Sequence, residues 1–69
     1  MKRIRTDNRI REIRKEKKMT LEQLAGKVNI SIAYLSDIEN GNRPGSAATI
    51  ERIAAELGVN PSDLMRRAG

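Results

Sequence analysis

Apolar residues recur at three- and four-residue intervals through most of the chain, and each run is bounded by residues that open or close helices. Ile10 and Ile13, continued by Lys17, follow Asp7 and Asn8, either of which can cap a first helix of about three turns. Thr20 precedes the run Leu21, Leu24, Ala25, Val28 and has Gln23 three residues on, the arrangement of a capping box, so a second helix opens at Thr20. Only Asn29 and Ile30 separate Val28 from Ser31, which caps a third helix with Leu35 and Ile38 as its stripe and Asn40-Gly41 as its end. The turn-rich stretch Asn42 to Gly45, with Pro44, leads to Ser46 and a fourth helix that turns Ile50, Ile53, Ala54 and Leu57 inward and stops at Gly58. Asn60 and Pro61 start a short fifth helix running through Leu64 and Met65. No strand-like alternation, repeat or low-complexity segment interrupts the pattern. Five short helices on short turns bury their stripes only against one another, so the predicted fold class is all-α, a single five-helix domain.

The second and third predicted helices form a tight pair, Leu21 to Val28 and Ser31 to Asn40, with the short connection of a helix-turn-helix unit. Leu24, Ala25, Val28, Ile30, Leu35 and Ile38 stand where such a unit needs apolar or small residues. Ala25 allows a close crossing of the third helix, and Asn29 tolerates the left-handed turn conformation usually given to glycine. In this geometry the second helix of the pair enters the DNA major groove, with its N-terminal residues at base edges, while the first crosses the backbone. Ser31, Ile32, Ala33, Ser36 and Asp37 then face the groove as candidate base contacts, with Tyr34 at its margin. Thr20 and Leu21, at the amide-rich start of the second helix, are candidate phosphate contacts, together with Tyr34, Asn40, Asn42 and Arg43.

Over about Asn8 to Leu64 the sequence resembles the phage repressor and Cro-type (XRE-like) family. Ile10-Arg11-Glu12-Ile13-Arg14 looks like its first helix, Thr20 to Val28 with Leu24-Ala25 like its second, and Ile38-Glu39-Asn40-Gly41 like the end of its recognition helix. Pro44, Ser46, Thr49-Ile50 and Leu57-Gly58-Val59 match the fourth helix and its exit. The resemblance implies a lambda-repressor-like fold and a transcriptional regulator, of the repressor type, that binds double-stranded DNA. It also implies a structural salt bridge between Arg14 and Glu39, and binding to palindromic half-sites as a symmetric dimer. The surface around the fifth helix, Val59, Pro61, Leu64 and Met65, is the candidate dimer contact. Glutamine and arginine are common in the family at the Ile32, Ala33 and Asp37 positions, and glutamine at the Leu21 position, so this chain departs from it at four candidate contacts. Ile32 and Ala33 suit thymine methyls, and Asp37 suits a cytosine amino group, or else is simply solvated or pairs with Arg43. An isolated apolar side chain at Ile32 also fits the alternative class, a protein-interaction module of antitoxin or anti-repressor type on the same fold.

Composition narrows the chemistry. The chain of 69 residues has no cysteine and no histidine, which removes disulfides, thiolate or imidazole zinc ligands and the usual base of a nucleophilic triad. We therefore expect no enzyme, no metal and no cofactor, and so small a core implies no small-molecule ligand. The longest apolar run, Ile32 to Leu35, is far short of the roughly 20 residues of a membrane span. The basic N-terminus runs into Ile10-Arg11-Glu12 without the apolar segment of a signal peptide, which reads as cytoplasmic. The net charge of +5 is unevenly placed: residues 1 to 18 hold nine Lys or Arg against three acidic residues, and residues 19 to 69 five against six. Residues 1–7 are expected as a basic arm and residues 8–69 as the folded domain. Lys2, Arg3 and Arg5 can lie along DNA or serve as a solubilising tail, whereas Arg9, Arg11, Lys15 and Lys18 suit a solvated helix face.

Overall fold

The three central helices each begin and end on a local signal. The computed structural model describes the backbone of residues 6–67 and the side chains of residues 9–64. Its helices are α1 (Ile10–Glu16), α2 (Leu21–Val28), α3 (Ile32–Glu39), α4 (Ala47–Leu57) and α5 (Pro61–Leu64). At the start of α2 the Gln23 amide donates to Thr20 Oγ1 at 3.0 Å and the Thr20 amide donates to Gln23 Oε1 at 2.9 Å, a closed capping box. Ser31 and Ser46 cap α3 and α4 by accepting from the amides of Tyr34 and Thr49, at 3.0 and 3.1 Å.

The C-terminal ends of α1 to α4 share one device. Lys18, Asn29, Gly41 and Gly58 take left-handed φ values of 60° to 80°. At each, the following residue donates its amide to a carbonyl five positions back: Met19 to Arg14, Ile30 to Ala25, Asn42 to Asp37 and Val59 to Ala54, at 2.8 to 3.1 Å. This Schellman closure satisfies orphan carbonyls and turns the next side chain inward. Met19, Ile30 and Val59 accordingly lie half-buried against the core. Gly45 answers a second local need, because it has φ +75° and a Cβ there would stand 3.1 Å from Ile38 Cδ1.

The core is built from the stripes that the sequence marks. Ile10, Leu24, Leu35, Ile38, Ile53, Leu57 and Leu64 are fully enclosed. α2 packs on both α3 and α4, and α4 also carries α5 and α1. Ala25, buried between larger neighbours, permits the close approach of α2 and α3. No helix among the described residues is long and apolar enough to cross a membrane.

The structure departs from the sequence expectation at the chain ends. β1 (Thr6–Asn8) pairs antiparallel with β2 (Met65–Arg67), setting Thr6 opposite Arg67, Asp7 opposite Arg66 and Asn8 opposite Met65. The Arg9 amide extends the contact by donating to the Leu64 carbonyl at 3.3 Å. Three-residue strands are too short to show alternation, and their pairing exists only because α5 returns the chain beside its own beginning. Asp7 and Asn8 are therefore strand residues and do not cap α1. Its N-cap is Arg9, with no side-chain hydrogen bond, and the helix has seven residues rather than three turns.

Met65 likewise belongs to β2 and not to α5. The expected division between residues 7 and 8 falls inside β1, while Lys2, Arg3 and Arg5 lie outside the described residues. Leu64, expected on a dimer surface, is instead enclosed in the core of its own chain, where it cannot also meet a partner. Val59 is half-buried and Pro61 exposed, and the Met65 side chain lies outside the described residues.

Lys18 is the costly link in this series of closures, since its Cβ opposes the left-handed φ that Gly41 and Gly58 adopt freely. Lys18→Gly should raise the unfolding free energy by about 0.5–1 kcal/mol in urea titrations, and Lys18→Val should lower it by at least as much.

Candidate nucleic-acid interface

Two inward side chains set the roll of α3. With Leu35 and Ile38 buried, the opposite side of the helix presents Ser31, Ile32 and Ala33 to solvent, with Ser36 and Asp37 half-exposed beside them. Ile32 is 46% exposed, and no other large apolar side chain among the described residues is exposed. The five candidate base contacts thus share one face, although three already have internal partners. Ser31 Oγ holds the Tyr34 amide, and the Asp37 carboxylate pairs with Arg43 Nε at 3.2 Å. Ser36 Oγ accepts a weak hydrogen bond from Asn40 Nδ2 at 3.4 Å.

The flanks of this face are polar and ordered. Tyr34 is half-buried against the core, and its hydroxyl accepts from the Ser46 amide at 3.2 Å, so the ring is tied to the start of α4. The Arg43 guanidinium lies over that ring, 5.6 Å from its centroid, within cation–π range. At the start of α2 the Thr20 amide, counted in advance among free donors, is occupied by Gln23. The amides of Leu21 and Glu22 have no intramolecular acceptor among the described residues and are the ones open to an anion. The Leu21 side chain packs against the core, so only its backbone is available for such a contact.

Behind the face lies a charged cluster joining α1 to the end of α3. Arg14 donates from Nε to Glu39 Oε2 at 2.7 Å and from Nη2 to Glu39 Oε1 at 3.0 Å, while its Nη1 donates to the Met19 carbonyl at 2.9 Å. The Glu39 side chain is 2% exposed. Its hydrogen bonds raise the Arg14 pKa above the ordinary arginine value, against the desolvation that lowers it. Arg11 joins the cluster through Glu39 Oε1 at 3.5 Å and the Asn40 side-chain carbonyl. The Arg11 side chain stays 48% exposed, so it lies on a solvated face as expected and adds this contact to it. The available signal was its position three residues before Arg14, on the same side of a helix. Asn40 is thereby held between Arg11 and Ser36, and Asn42 sits in the turn with its amide bonded to the Asp37 carbonyl at 2.8 Å.

An open cleft of about 360 Å³ lies between the end of α2 and α4, lined by Lys27, Val28, Asn29, Arg52, Ala55 and Glu56. Its charges are already engaged, Lys27 with Glu56 at 3.9 Å and Arg52 Nη1 with the Val28 carbonyl at 3.2 Å. The Arg14–Glu39 pair generates the sharper expectation. Arg14→Met should cost about 3–5 kcal/mol in chemical denaturation by stranding a buried carboxylate, and adding Glu39→Met should restore much of that loss. With a raised folded pKa, the arginine's contribution is fully present below its unfolded pKa and fades only as pH climbs through the folded one. The cost of Arg14→Met should therefore stay level from neutral pH up to strongly alkaline pH.

Comparison with known proteins agrees with this architecture. The family model described as a helix-turn-helix domain matches residues 8–69. The immunity repressor protein of Bacillus phage phi105 is 46% identical over 57 residues, covering 83% of this chain and 40% of that protein. The control protein C.BamHI of Bacillus amyloliquefaciens is 43% identical over 58 residues, covering 83% of this chain and 72% of that one. Among solved structures, SinR, a master regulator for biofilm formation determined in complex with DNA, superposes with a TM-score of 0.71 at 37% identity, over 77% of this chain and 86% of its own. The chain thus spans less than half the length of its phage relative and most of the control protein. With the capped α2–α3 pair, the buried Arg14–Glu39 bridge and matches along nearly its whole length, the chain belongs to the helix-turn-helix domain family of the phage repressor and Cro kind.

Proposed function

We propose that the domain is a sequence-specific regulator of transcription, acting as a repressor, that binds double-stranded DNA with α3 in the major groove. The observation that carries this reading is the outer face of α3. Ser31, Ile32, Ala33, Ser36 and Asp37 stand clear of the core on a rigidly seated helix, with the open amides of Leu21 and Glu22 at the start of α2 to take a phosphate. Arg43, Asn40 and Asn42 follow at the far end of the helix. The solved complex of SinR with DNA supports the same use of this fold. Ile32 and Ala33 match thymine methyls, and Asp37 matches a cytosine amino group, which makes groove shape and methyl contact more important than guanine recognition.

So few strong readers in one copy favour a symmetric pair on half-sites about one helical turn apart. With Leu64 enclosed, the region around α5 offers Pro61 and part of Val59 to such a pairing. The exposure of Ile32 favours a second reading, in which α3 meets a protein instead of DNA.

The two readings separate in one experiment. Random duplex fragments retained by the protein at about 50 and 200 mM salt are sequenced, and binding is remeasured on the enriched site. A palindromic site should emerge, with affinity falling about a hundredfold between the two salt concentrations if roughly four phosphates are neutralised. Ile32→Glu should abolish retention with the unfolding midpoint unchanged. No retention of any fragment at low salt would assign α3 to a protein partner.

A further inference from the structure

The Asp37–Arg43 pair joins the last turn of α3 to the turn that follows it, at the rim of the candidate interface. The closure of α3 at Gly41 folds the chain back so that the amides of both Asn42 and Arg43 reach the Asp37 carbonyl, at 2.8 and 3.3 Å. The Arg43 side chain is thereby returned over the last turn of α3. There it is held from two sides, by the Asp37 carboxylate at 3.2 Å and by the Tyr34 ring at 5.6 Å, and Tyr34 is itself anchored by the Ser46 amide. Both partners remain solvent-accessible, with side-chain exposures of 59% for Arg43 and 37% for Asp37, so each is open to an exchange of partners. Of the cations that meet the end of α3, Arg14 is buried and Arg11 is held by Glu39 and Asn40, so Arg43 is the one placed at Asp37 on the outer face.

We propose that Asp37 sets specificity through Arg43. It keeps the guanidinium neutralised until the carboxylate finds a base-edge donor, so that the Arg43–phosphate contact depends on a correct sequence. This inference rests on the DNA-binding reading above. Phosphate contacts are blind to sequence, and a freely available arginine beside the groove strengthens binding to every duplex alike. While paired with Asp37, Arg43 must give up its carboxylate to take a phosphate, and a groove edge of acceptors offers that carboxylate nothing in return. An edge presenting the cytosine amino group does, and releases Arg43 to the backbone. Asp37 is then a positioning residue whose effect is to weaken wrong complexes.

The test compares the duplex selected by the unchanged protein with a scrambled duplex of equal length, over about 50 to 200 mM salt. Asp37→Asn keeps the size of the side chain and removes the charge that holds Arg43. The scrambled duplex should bind about fivefold or more tightly. Its log affinity against log salt should steepen by about 0.9, the share of one added phosphate contact, and the preference for the selected duplex should fall about tenfold. Arg43→Gln in the Asp37→Asn background should erase the gain on scrambled DNA. Persistence of the gain in that double variant, or an unchanged slope and affinity on scrambled DNA, overturns the inference while leaving DNA binding intact. No binding by the unchanged protein at low salt is the distinct failure of the DNA reading, and the inference falls with it. Unfolding midpoints matching the unchanged protein exclude a folding effect, as expected for two exposed side chains.

Discussion

A carboxylate as enclosed as Glu39 is tolerable only with cations and donors arranged around it, and that requirement organises the domain. Arg14 supplies a two-pronged contact from α1 and donates from Nη1 to the Met19 carbonyl, so one guanidinium fixes α1, the turn after it and the end of α3. Arg11 completes the cluster and reaches Asn40, at the rim of the candidate interface. Every buried polar side-chain atom among the described residues has a partner, which is the condition under which such a cluster holds one geometry instead of several. The orientation of α3, and with it the whole outer face, depends on this arrangement.

The local closures make that arrangement reachable by so short a chain. Each Schellman turn reverses direction within a few residues and drops Met19, Ile30 or Val59 onto the core. Between α2 and α3 the left-handed Asn29 and the Ser31 cap leave no slack, so the two helices cross at an angle set by backbone geometry and by the small side chain of Ala25. Seating Leu35 and Ile38 then decides which side of α3 faces water.

Much of this was legible in the residues. The Thr20 capping box, the Ser31 and Ser46 caps, the left-handed Asn29 and the inward stripes of α2, α3 and α4 are consequences of short-range chemistry, and the sequence displays them directly. The start of α1 was misread because Asp7 and Asn8 are equally good cap residues and turn residues, and their backbone is claimed by β2 from the far end of the chain. Leu64 was misplaced for a similar reason: one apolar residue on a four-residue helix gives no stripe from which to tell its buried side. At the interface, the exposed positions of α3 followed from the helical period. Of their internal partners, the Ser31 cap was legible and the pairing of Asp37 with Arg43 was one of the open alternatives, whereas the stacking of Arg43 over Tyr34 depends on the path of the turn.

By itself, then, the sequence determined the helices, the ends of α2, α3 and α4, their inward faces and the helix-turn-helix unit, because caps and periodicity act over a handful of residues. It also determined the stock of candidate contacts, including an unusually apolar pair at Ile32 and Ala33. Only the tertiary structure decided which charges meet. Arg14 and Glu39 are 25 residues apart and Arg11 and Asn40 29 apart, so their contacts exist only once the core has closed. The pairing of the chain ends and the burial of Leu64 were decided in the same way, since both depend on where α4 and α5 carry the chain and on no local preference of the residues themselves.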